Sequence, residues 1–242
     1  MTVPLSGWVL VTADPHDETW LRQRTILGED GQRRLADARV LVVGCGGLGA
    51  GAIPPLVAAG IGTITLLDDD VVAPSNLNRQ TLFKAQDIGR SKVELATRRM
   101  QALSPTAIIT SREHRLTPDD VDLVSQFDVV VDCTDRAASR AAISAACRAA
   151  QIPWVWAAID AWSAVISVFV PGHTAWEDVV PHPTEAPSPP DILGAAPSMA
   201  GAWQAAEVVK LLTGVGSPLI DRLAIVDLLT ADVRFVETSR PV

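Results

Sequence analysis

The residues with the most chemistry in this chain lie between Gly44 and Lys92. Gly44, Gly46, Gly47 and Gly49 follow an apolar, β-branched run at 40–43. Glycines placed there let backbone amides press against a phosphate with no Cβ in the way. Residues 64–67 read as a second strand, and Asp68 at its end lies about 20 residues beyond the glycines, where a carboxylate accepts hydrogen bonds from ribose hydroxyls. The order strand, glycine turn, helix, strand, acid across 39–70 predicts a βαβ nucleotide-binding unit; glycines serving only as turn formers would not require it. The following loop chooses among nucleotides. Asp68, Asp70, Asn76, Arg79, Gln80 and Lys92 fall within 25 residues. Arg79 and Lys92 suit the phosphates of a triphosphate, and the carboxylates suit ribose or Mg²⁺. The set predicts ATP rather than NAD, whose enzymes continue from one ribose-binding acid into ordinary loop and helix.

These groups need a scaffold, and the patterning supplies one. Residues 20–38 read as a helix leading into the βαβ unit, in which Pro54 and Pro55 should kink or delay the crossover helix. A helix at 91–103, a strand at 107–111, a short helix at 118–126, a strand at 128–132 and a helix at 139–150 follow. Strands at 154–158 and 163–170 come next, and 199–212 has helical spacing with Trp203 and Val208 as core. The first 18 residues read as an irregular arm with His16 facing solvent. The proline-rich stretch 171–197 reads as a loop, with His173 and His182 as exposed histidines rather than metal ligands.

At the residues LLDDDVVAPSNLNRQTLF, followed by DIGRSK, the chain resembles the signature of the MoeB/ThiF family, bacterial relatives of the ubiquitin-activating enzymes. DCTD at 132–135 and GQRRLADARVLVVGCGGLG resemble two further blocks of that family, in the expected order, and the likeness runs roughly from Arg22 to Arg234. It implies an α/β, Rossmann-like fold with a mixed sheet, parallel in its first half and antiparallel in its second, and helices on both faces. It also implies Mg-ATP in the glycine turn, with Asp68 on the ribose, Asn76, Arg79 and Lys92 at the phosphates, and Asp135 holding the metal and the reacting phosphate. Arg22 or Arg24 resembles an arginine that reaches across a homodimer into the partner's ATP site; the spacing leaves the choice between them open, with Arg22 preferred. The implied reaction adenylates a carboxylate and releases pyrophosphate. The C-terminal glycine of a small ubiquitin-like sulfur-carrier protein is the expected substrate. Charge builds on the phosphates as the carboxylate attacks, so catalysis rests on positioning and electrostatics. A peptide or small-molecule carboxylate, a non-catalytic interaction member of the family and an NAD-type dehydrogenase are the competing readings.

The chain departs from the family pattern in three places. Many members carry two CxxC pairs for a structural zinc and an acceptor cysteine in the crossover loop. Here Cys45, Cys133 and Cys147 form no CxxC and none lies in 171–197, which predicts no zinc and no thioester step. Arg136 stands where the family usually has asparagine. Trp154, Trp156, Trp162 and Trp176 cluster where the family receives the incoming tail, although core burial explains them equally well. At 242 residues and 48% hydrophobic content, the chain can bury a core as one adenylation domain spanning 1–242. Unpaired cysteines and no apolar run of about 18 residues predict a cytoplasmic protein with no membrane segment. A net charge of −8 has the wrong sign for nucleic-acid binding.

Overall fold

The computed structural model describes residues 18–104, 106–181 and 191–238; most of the N-terminal arm, with His16, and His182 lie outside them. Helix α1 (Leu21–Asp37) leads into β1 (Arg39–Val43), α2 (Gly47–Ala58) and β2 (Thr63–Leu67). Then come α3 (Lys92–Leu103), β3 (Ile108–Arg112), the single-turn α4 (Val121–Val124), β4 (Val129–Asp132) and α5 (Ala137–Ala150). The second half comprises β5 (Trp154–Asp160), β6 (Ser163–Phe169), a short α6 (Trp176–Val179), α7 (Ala195–Thr213), β7 (Arg222–Asp227) and β8 (Asp232–Glu237).

The strands form one sheet in the order β3-β2-β1-β4-β5-β6-β7-β8. Pairings from β3 through β5 are parallel and those from β5 through β8 antiparallel, as expected for the mixed sheet. Alternation along β1 divides the core. Val40 and Val42 point to the face covered by α2, α3 and α7, while Leu41 and Val43 point to the face covered by α4 and α5. Chain order reverses between β1 and β4, opening a crevice at their carboxyl ends, where ligands bind in open α/β sheets.

Three local expectations change, and core burial, one of the two explanations of the tryptophans, holds for three of the four. Pro54 and Pro55 lie inside a single continuous α2, which neither of them breaks. Close packing on α7 holds that helix: a Cβ added at Gly201 would collide with Leu48 O, and one at Gly51 would lie 2.6 Å from Ser198 O. Helix α1 is interrupted at Gly28 (φ 72°, ψ 168°), a backbone geometry that glycine adopts at little cost. The expected loop at 171–197 contains α6, and its last residues already belong to α7. Pro197 is tolerated there because first-turn amides have no intrahelical acceptor. Trp154, Trp156 and Trp176 are buried in the second core, and only Trp162 of that group is substantially exposed.

Candidate active site

The glycine turn is built by sterics. Gly44 has φ 101°, and a Cβ there would lie 2.6 Å from Cys133 O, so any side chain would push β1 away from β4. The Gly44 amide donates to Leu67 O (2.7 Å), tying the turn to β2. The next amide, of Cys45, donates to Asp68 Oδ2 (2.6 Å), and the amide of Asp70 donates to Asp68 Oδ1 (2.8 Å). Asp68 therefore fixes the turn and the end of its own strand at once. Burial raises the pKa of its carboxyl above the usual carboxylate value, against the lowering effect of those two amides. The first amides of α2 follow directly and have no intrahelical acceptors, so they form an anion site.

Lys92 is placed against the preferences of a soluble fold. Its side chain is 7% exposed and it opens α3, where the helix dipole disfavours a cation. The compensation is Asp70, whose Oδ2 accepts from Lys92 Nζ at 3.0 Å, while Asp70 O accepts from Lys92 N at 3.0 Å. Arg79 projects from the turn after a short 3₁₀ segment, with Nη1 donating to Ser75 O and Asn78 Oδ1, both at 2.9 Å. Asp87 ties this loop to α3 by pairing with Arg90 and Arg99 and accepting from Lys84 N.

A cavity of about 440 Å³ opens where these groups meet, walled by Gly44, Gly46, Gly47, Asp68, Asp70, Arg79, Lys92 and Asp135, among others. Three expected site residues lie elsewhere. Gly49 sits in the first turn of α2 and packs against Gly44 O. Asn76 turns its Oδ1 onto Ala73 N (3.0 Å) and shapes the turn that delivers Arg79. Arg22 is exposed on α1, a helix docked at the far end of α2. There Gln23 and Gln32 side-chain amides donate to Ala59 O at 2.8 and 3.0 Å. The length of α2 separates that end from the glycine turn by about 18 Å, so Arg22 stays clear of its own chain's cavity. Arg24 lies near Glu29, at 3.7 Å.

The cavity also has walls whose roles the motifs left unassigned. Asp69 and Arg115 form a two-pronged pair (3.0 and 3.2 Å) joining the loops after β2 and β3. Gln80 is 4% exposed and its Oε1 has no partner. Thr134 and Arg140 stand above Asp132, a fully buried acid whose Oδ1 accepts from Thr134 N and Oγ1 at 2.8 and 2.7 Å. Beneath them Gln204 donates to the carbonyls of Asp132 (2.7 Å) and Val155 (3.3 Å), splinting β4 to β5. The signal for Gln204 and Asp132 would have been polar residues in otherwise apolar stretches. Arg115 carries no such signal.

The donor set fits a nucleotide triphosphate. The glycine turn leaves room that a Cβ would fill, Gln80 Oε1 is an orphaned acceptor on the wall, and both Lys92 and Arg79 border the same space as Asp68. For Mg²⁺ the fit is Asp135, an exposed carboxylate on the cavity wall, since that ion binds beside phosphates through one or two carboxylates. Among the described residues no three His, Cys, Asp or Glu side chains converge as metal ligands. Cys45, Cys133 and Cys147 are all buried, and burial pushes their thiols up, away from the reactive thiolate. No described helix is long and apolar enough to cross a membrane.

Comparison with known proteins agrees with this geometry. The model of the ThiF family matches residues 20–241. A probable adenylyltransferase/sulfurtransferase MoeZ of Mycobacterium tuberculosis is 38% identical over 227 residues, which is 87% of this chain and 56% of that relative, so the chain spans little more than half its length. The sulfur carrier protein ThiS adenylyltransferase of Escherichia coli is 38% identical over 196 residues, 78% of each chain. The crystal structure of Escherichia coli MccB with succinimide superposes with a TM-score of 0.83 at 22% identity, covering 95% of this chain and 73% of the other, a likeness of fold. With the family model spanning nearly the whole chain and the β1–β4 crevice built from its motifs, this protein belongs to the ThiF family.

Proposed function

We propose that this chain is an ATP-dependent adenylyltransferase that activates the C-terminal glycine carboxylate of a ubiquitin-like sulfur-carrier protein. One observation carries the reading: Asp68, Arg79, Lys92 and Asp135 wall a single cavity at the glycine turn, in a chain 38% identical to a sulfur-carrier adenylyltransferase.

In this reading residues 1–242 act as one adenylation domain. Asp68 keeps one acceptor lone pair on each oxygen for the ribose hydroxyls, since its two present bonds each use one. The first amides of α2, Lys92 and Arg79 hold the phosphates. Lys92 is preorganised by Asp70, so little rearrangement accompanies the build-up of charge when the carboxylate oxygen attacks the α-phosphorus and pyrophosphate leaves. Asp135 holds Mg²⁺ when it is bound, and the ion supplies further neutralisation of phosphate charge. Because Arg22 stands far from its own cavity, its catalytic role requires a homodimer in which it serves the partner's site. The protein works in the reducing cytoplasm.

ATP–pyrophosphate exchange, with intact-mass detection of a carrier-adenylate, tests the reading. Arg79→Ala and Lys92→Ala should each lower exchange by about 100-fold or more, the cost of removing one charge-stabilising donor. Tight NAD binding without ATP binding refutes it.

A further inference from the structure

Five cations wall the cavity, and four are already engaged. Lys92 is paired with Asp70, and Arg115 with Asp69. Arg79 donates to Ser75 O and Asn78 Oδ1, and Arg140 Nη2 donates to Thr134 O at 3.1 Å. Arg136 is different. It is the N-cap residue of α5, and among the described residues no hydrogen bond or ion pair holds its guanidinium. It lines both the main cavity and an adjoining groove that it shares with Arg115, Leu116, Ala138 and Ser139. Asp69 feels its charge, but that carboxylate is already taken up by Arg115.

An arginine without an acid in a concave site stays hydrated until a ligand brings the anion, and its planar fork suits phosphate oxygens. The start of α5 lies beside it, and the Arg136 side chain caps none of that helix's amides. Across the crevice stand the glycine turn and the first amides of α2. A phosphate between β1 and β4 is therefore approached from one side by the α2 amides and from the other by Arg136. The neighbouring Asp135 carboxylate offers no donor and cannot do this work.

We propose that Arg136 is a nucleotide-contacting residue, its guanidinium binding a phosphate oxygen of ATP and adding from the chain's own α5 a cation where the resembling family usually has asparagine. The inference rests on the adenylation reading and sharpens it.

The test is calorimetric titration of purified wild-type protein, Arg136→Asn and Arg136→Lys with ATP and with adenosine, alongside thermal melts. Loss of a charge-assisted contact should weaken ATP binding by Arg136→Asn about 10- to 100-fold. Adenosine binding should be unchanged, and Arg136→Lys should recover part of the loss. Equal losses for adenosine and ATP, or unchanged ATP affinity in Arg136→Asn, overturn the proposal while leaving the adenylation reading intact. A wild-type protein that binds no ATP removes both.

Discussion

Replacing Asp132 by Asn should abolish one slope in the pH dependence of stability. Asp132 is fully buried at the end of β4, with both Thr134 donors on Oδ1 and no partner for Oδ2 among the described residues. Burial, opposed by the Arg140 charge and the Thr134 hydrogen bonds, pushes its pKa up from 3.8 to about 6. Trp156 beside it on β5 and Cys147 on α5 bring no compensating charge. At about 1.4 kcal/mol for each tenfold change in acidity, holding this group ionised at pH 7 costs about 3 kcal/mol relative to the unfolded chain. The sign follows from proton uptake. Between pH 4 and 6 the folded protein holds a proton on Asp132 that the unfolded chain has released, so this contribution is present at low pH and lost as pH rises through 6. Asp69, Asp120 and Asp221, whose carboxyls are held below the usual range, contribute in the opposite direction. Their contributions are the same in both proteins and cancel in the difference. Urea unfolding from pH 4 to 7.5 should therefore show Asp132→Asn gaining on wild type by up to about 3 kcal/mol across that range. Parallel curves would refute the reasoning.

Three further predictions concern architecture and assembly. Glu207 on α7 is fully buried and accepts from Trp203 Nε1 (2.9 Å), Lys210 Nζ (2.6 Å) and Leu219 N (3.0 Å). Glu207→Ala leaves three donors unmatched and should cost about 3 kcal/mol, a fall of roughly 6–12 °C in Tm by calorimetry, with Glu207→Gln milder. Gly201→Ala should separate α2 from α7 and cost about 1–3 kcal/mol in denaturant unfolding, because the added Cβ meets Leu48 O and lies 2.7 Å from Ala52 N. Arg22→Ala and Asp135→Ala, each inactive in exchange, should regain activity when mixed, since a hybrid dimer holds one site assembled from two unaltered halves. Mixed dimers without activity, or a fully active monomer, rule out the in-trans arginine.

What could be read from the chain and what could not divide along a physical line. The glycine turn, Asp68, Arg79 and Lys92 were legible because their chemistry acts on a ligand close in sequence to the element that presents it. A βαβ unit is local, and its glycines are demanded by backbone geometry wherever they occur. Asp132, Gln204 and Glu207 were not legible in the same way. Each answers to groups brought together by tertiary structure: Gln204 meets the carbonyls of Asp132 and Val155, 72 and 49 residues away. The prolines of α2 show the same limit from the other side. Local propensity weighs against a helix through Pro54 and Pro55, yet contact through Gly51 and Gly201 outweighs it, and that contact joins residues 150 positions apart. The cavity combines both kinds of residue. Its floor, at the glycine turn, follows from local sequence, while its far wall, with Arg115 from the loop after β3 and Arg136 from the start of α5, depends on where the sheet order reverses. Motifs therefore predict that a nucleotide is held. The groups arriving from the other side of the crevice decide how the charge on its phosphates is met.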